Sequence, residues 1–233
     1  MPCTLPASLA DAAVCRGSFH AVLGGEAGEA VFADFSAALQ KAQAEGRILT
    51  ASLFRYENHL FFYAEGLNRP FTPQGLCPAL DAALLPWPPA LGETAPRPWA
   101  AMQPYFYHDV PTTAADWQQG RCPQRRRGRI ALLPPDKWCS YMEHHLRIVT
   151  EGLVEGDRWH LICVQEGVLF SYLEEPRTNV NIRHKPGAHS PELDAWIAAD
   201  PESHFAHFTP EQKAHPDSGH NFVFLPRIAG TED

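Results

Sequence analysis

The chain has 233 residues, of which 45% are hydrophobic and 20% charged; this is the composition of a folded protein and argues against disorder over the whole length. Its length suits one large domain or two of roughly 100 residues each. The net charge of −8 opposes a nucleic-acid partner, and no apolar run approaches the roughly 20 residues that a membrane helix needs.

The first residues, MPCTLPASLADAAVCRG, lack the basic start and apolar core of a secretion signal. Cysteines at 3, 15, 77, 122, 139 and 163 show no CxxC spacing, so they read as free thiols in a reducing, cytoplasmic setting. SFHAVLGG then reads as a strand and EAVFADFSAALQKAQAEG as a helix. Between them VLGGEAGEA lacks the register of a dinucleotide-binding glycine loop and reads as the lead into the helix. AEGRILTASLFRYENHLFFYAEG (44–66) is a hairpin, LCPALDAALLPW a short helix, and MQPYFYHDVP a further strand. The basic run RCPQRRRGR (121–129) has no interleaved aromatics, so it reads as a solvated linker. After it the order recurs: GRIALLPP as a strand, DKWCSYMEHHLRIVTEG as a helix, and VEGDRWHLICVQEGVLFSYLEEP (154–176) as a hairpin. SPELDAWIAADPESHFAHF follows as a helical segment, and HNFVFLPRIA as a last strand.

The two hairpins align with a single gap, matching Glu45-Gly46 to Glu155-Gly156, Leu60-Phe61 to Leu169-Phe170, and Tyr63 and Glu65 to Tyr172 and Glu174. Each copy runs β, α, β, β, α, β, the ferredoxin-like order. The expected fold is therefore α+β, two tandem ferredoxin-like repeats whose antiparallel sheets pack as an intrachain pseudo-dimer. Its parts are residues 1–110, a Pro/Arg-rich linker at 111–128, and residues 129–233. Such a chain would be a monomeric pseudo-dimer or a weak homodimer.

The second copy resembles the L-rhamnose mutarotase family of dimeric α/β barrels. The resemblance rests on the Tyr-x-x-x-His pair of its first helix, Tyr141 and His145, with Glu151 following, on the hairpin WHLICVQEGVLFSYLE, on AADPESHFAHF and on the final FVFL. It implies anomer interconversion of a monosaccharide such as L-rhamnose, without cofactor or metal, with His145 transferring the proton and Tyr141 beside it. His160, His204, Phe205, Tyr172 and His144 would contact the sugar. His160 stands where the family has a pocket tyrosine, and His204 and Phe205 fall near its paired tryptophans. The first copy has Val31 and Phe35 at the positions of Tyr141 and His145, so it cannot transfer protons.

Two other readings stand beside this one. A duplicated barrel that has lost its reaction would be a sugar-binding module. Nine of the 12 histidines lie at 144 and beyond, so HH (144–145) or HFAH (204–207) could contribute metal ligands, although no HExxH or CxxC accompanies them. Which of His144 and His145 faces inward depends on helix phase, which the sequence leaves open.

Overall fold

The computed structural model describes residues 6–179, 182–213 and 218–231. His215 and Cys3 lie outside the described residues. The chain is α+β with antiparallel pairing throughout, and it divides into two compact units. One comprises residues 1–102, 111–123 and 226–233, and the other comprises 103–110 and 124–225.

The first unit begins with β1 (Val14–Val22) and α1 (Glu29–Ala44). Phe32, Phe35, Leu39 and Ala42 recur at helical spacing on α1 and are its buried residues. Gly46, at φ 69, turns the chain into β2 (Ile48–Tyr56), which pairs with β3 (His59–Leu67). Pro78 opens the short α2 (Pro78–Ala82), where its missing N–H costs nothing. β4 (Ala100–Phe106) gives residues 100–102 to this unit and 103–106 to the other. Phe35, Phe62 and Trp99 centre the core, with Phe35 meeting Phe62 edge to face at 5.8 Å. The short α3 (Ala114–Gln118) is capped by the Thr113 hydroxyl, which accepts from the Asp116 N–H at 3.2 Å.

The second unit starts with β5 (Arg125–Leu132), then α4 (Pro135–Glu151). Tyr141, His145 and Ile148 share the buried stripe of α4, and Gly152 ends it in the left-handed conformation at φ 68. A two-residue β6 (Val154–Glu155) precedes β7 (Leu161–Gln165) and β8 (Val168–Glu175), joined through Glu166-Gly167, both at positive φ. β9 (Arg183–His184) pairs with β6, and α5 (Pro191–Ala198) follows. The Ser190 hydroxyl donates to Glu151 at the end of α4 and accepts from the Leu193 N–H at 3.0 Å, so one side chain ties α4 to α5. The stretch expected as one final strand is two, β10 (Val223–Leu225) and β11 (Arg227–Gly230). Pro226, which has no N–H to give a ladder, separates them, and β11 pairs with β2 of the first unit.

Strand order is β4-β1-β3-β2-β11 in the first unit and β10-β5-β8-β7-β4 in the second. The same polar ladder recurs in both. Arg16 faces Glu65 across β1 and β3, and the Tyr63 hydroxyl donates to Glu65 at 2.7 Å. Arg126 faces Glu174 across β5 and β8, and the Tyr172 hydroxyl donates to Glu174 at 2.6 Å.

This overturns the reading of the Arg-rich run as solvated. Residues 125–129 are strand, the Arg121 side chain is 2% exposed on Glu65, and Arg126 is 8% exposed on Glu174. Their carboxylates come from β3 and β8, far away in sequence, so charge density alone does not reveal them. Burial would raise the Glu65 carboxyl, but the Arg121 guanidinium, bonded to both of its oxygens, holds it below its usual range. Replacing Glu65 with Ala strands that guanidinium, and urea denaturation is expected to show a loss of about 3–5 kcal/mol. A loss below about 1 kcal/mol would contradict the buried pair.

Candidate active site

The second unit holds a cavity of about 460 Å³. It lies among the end of β4, the segment before β7, the loop after β8 and the helix α5. The end of β4 supplies Phe106 and the loop after it His108, β5 supplies Arg129, and α4 supplies Tyr141 and His145. Gly156, Asp157 and His160 precede β7, Arg177 and Asn179 follow β8, and Trp196 comes from α5. Glu202, Phe205 and Phe222 close the wall. A groove of about 620 Å³ in the first unit is larger, but its Lys41 and Arg47 lie 3.9 and 3.6 Å from Glu45, and no histidine or tyrosine lines it.

Helix phase is settled by packing. His145 is 5% exposed, with its ring 4.7 Å from Trp196 and 4.8 Å from Phe106, both edge to face. Nδ1 donates to the Tyr141 carbonyl at 2.8 Å, because a carbonyl can only accept; the Nε2 lone pair is therefore the free one. Burial, then the neighbouring His144, His204 and His108, pushes the His145 imidazole down to about 4, although the carbonyl bond works the other way. Burial likewise brings His108 down to about 4, against the pull of Asp157. The Tyr141 phenol is pushed up to about 12 by burial, and Arg129 is lowered to about 10 by burial with help from Arg177. At neutral pH the His145 and His108 imidazoles are thus uncharged, the Tyr141 phenol protonated and the Arg129 guanidinium charged.

Of the residues expected from the sequence, Tyr141, His145, His160 and Phe205 line this cavity. Tyr172, His204 and His144 do not. Tyr172 is fully buried on Glu174, the counterpart of Tyr63 on Glu65. His204 spends both ring nitrogens on structure, Nδ1 donating to the Asp200 carbonyl at 3.2 Å and Nε2 accepting from Ser140 at 3.3 Å. His144 is half-buried, 5.4 Å from the Trp196 ring. Among the described residues no three His, Cys, Asp or Glu side chains come together as a metal-binding group.

Sequence reasoning missed Phe106, His108, Arg129, Arg177 and Trp196. Trp196 was visible as the one large aromatic of its helix. Phe106 and His108 were assigned to the first repeat, yet they belong to the second unit.

No family model matches the chain, and no curated protein matches it. Solved structures similar to it include a "putative monooxygenase" of Lactobacillus acidophilus NCFM, at 7% identity and TM-score 0.40 over 94% of this chain and 96% of that one. A second "putative monooxygenase", from Fusobacterium nucleatum subsp. nucleatum, gives 8% identity and TM-score 0.40 over 94% of each chain. An anthrone oxidase-like protein gives 7% and 0.38 over 94% of this chain and 92% of that one.

These findings correct the expected kinship with L-rhamnose mutarotases, and with it the reading as an isomerase of carbohydrate metabolism. No family model and no curated protein supports that kinship, and none of the structures named above is a mutarotase by its name.

A pH dependence follows. His145 and His108 sit near 4 in the folded chain against 6.5 when free, so from about pH 6.5 down to 4 the unfolded chain binds protons that the folded one does not. Folding stability is expected to be insensitive to these groups above that window and to fall within it, by at most about 1.4 kcal/mol per pH unit for each histidine. Urea unfolding at pH 7 and pH 5 measures the loss, which His145→Gln should reduce. An equal loss in wild type and His145→Gln would show that His145 is not buried neutral.

Proposed function

We propose that the second unit binds a small, flat, largely apolar molecule and removes a proton from it, with His145 Nε2 as the acceptor. The observation that carries this reading is the His145 ring, fixed in one tautomer by the Tyr141 carbonyl, with its lone pair free in a cavity walled by aromatic rings. A cavity of about 460 Å³ falls in the range of small-molecule sites and suits a molecule of two or three rings. Phe106, Trp196 and Phe205 offer flat apolar surface. Transfer of the substrate proton to Nε2 leaves an imidazolium and a substrate anion, and the charged Arg129 in the same wall favours that separation of charge. His108 and His160 line the cavity as further polar contacts.

We also propose that the chain arose by duplication of a ferredoxin-like unit. The shared strand order, fourth-first-third-second in β4-β1-β3-β2 and β10-β5-β8-β7, and the repeated Arg-Tyr-Glu ladder support it. On this view the Phe35 copy is the packing partner and the His145 copy is the reactive one.

Exchange of the acidic C–H of 2-tetralone in D₂O, followed by NMR, tests the proton-acceptor reading. A positioned base is expected to accelerate exchange by about 10²- to 10⁴-fold over buffer. His145→Gln should abolish the acceleration, while Trp196→Ala should weaken binding of the ketone. No acceleration by a folded wild-type protein would sink the reading.

A further inference from the structure

We infer that the molecule bound in this cavity is a planar monoanion, an aromatic acid whose carboxylate sits on the Arg129 guanidinium; the inference rests on the small-molecule reading above. The Arg-rich run shows what is unusual about Arg129. Arg121 lies 2.7 Å from Glu65, Arg125 3.9 Å and Arg127 3.1 Å from Glu175, and Arg126 3.6 Å from Glu174. The Arg129 side chain has no ion pair and no hydrogen bond among the described residues, and its Nε is buried without a partner. Its described neighbour is the Phe222 ring, whose centroid lies 4.3 Å from the guanidinium carbon. A ring occupies one face of the guanidinium and leaves the in-plane N–H groups for an acceptor.

Neither carboxylate of the cavity wall is bonded to Arg129. Asp157 accepts from Arg177 at 3.2 Å and from the Thr178 N–H and hydroxyl at 3.2 and 2.7 Å. Glu202 accepts from Asn221. Among the wall's charged side chains in the described residues, Arg129 is the one with neither an ion pair nor a hydrogen bond. Arg127, two residues back along β5, and Arg177 add like charge, which makes an empty Arg129 costlier to bury.

One free guanidinium among aromatic walls matches one negative charge on a flat body. A planar fork of N–H donors fits a carboxylate in two parallel bonds, which favours that group over a phosphate dianion. The same charge would sit near His145 and His108, so the bound acid would make their neutral imidazoles more basic than in the empty cavity. The substrate would thus strengthen the base that acts on it.

The test is calorimetric titration of the full chain with 2-naphthoate and with its neutral counterpart 2-naphthamide. Wild type is expected to bind the carboxylate roughly 10- to 100-fold more tightly. Arg129→Gln should erase that preference and leave amide binding intact. Arg129→Lys, which keeps the charge and loses the fork, should narrow it and serves if the Gln variant does not fold. Equal affinity of wild type for both probes would overturn the anion site and leave the small-molecule reading standing. Parallel loss of both probes in folded Arg129→Gln, or an unchanged preference in Arg129→Lys, would also overturn it. Binding of neither probe by wild type would overturn both the anion site and the small-molecule reading.

Discussion

One hydrogen bond, from His145 Nδ1 to the Tyr141 carbonyl a turn earlier on α4, organises the second unit's cavity. It selects the tautomer, aims the ring between Trp196 and Phe106, and leaves Nε2 as a lone pair in an aromatic enclosure. Burial then keeps the imidazole uncharged. Charging it there without an anion to meet it would place a cation beside the His144, His204 and His108 imidazoles, so the neutral state is the one the packing tolerates.

The fold supplies this environment by repeating a local solution. In each unit a buried tyrosine donates to a glutamate two residues on, and that glutamate faces an arginine across the ladder. Those carboxylates satisfy the arginines around them. Arg129, one position along from Gly128, which faces Tyr172, falls outside the ladder and points its charge into the cavity wall instead. In the first unit α1 carries Phe35 into an apolar core, where α4 of the second carries His145 into the cavity.

The parts of this arrangement that local chemistry decides were readable beforehand. The periodicity of EAVFADFSAALQKAQAEG and the Pro and Gly boundaries of α4 place both long helices, and the Tyr-x-Glu match between hairpins identifies the ladder residues. What long-range pairing decides was not readable. The Arg run looked solvated because Glu65, Glu174 and Glu175 lie about fifty residues away from it. Phe106 and His108 could not be assigned to the second unit because β4 is divided between the two. Tyr141 and His145 do share the buried face of α4, as their spacing implies, but their surroundings come from β4, α5 and β5, which a four-residue spacing does not reveal. His204, whose nitrogens serve Asp200 and Ser140, shows how little a residue type says before its partners are known.

The most direct test of the account is ¹⁵N NMR of the His145 imidazole across pH, in the free chain and with 2-naphthoate bound. The account predicts a single Nδ1–H tautomer that stays neutral well below pH 6.5 in the free chain and whose pKa rises when the acid binds. A ring that exchanges between tautomers and titrates near its ordinary value, unchanged by the acid, would contradict it.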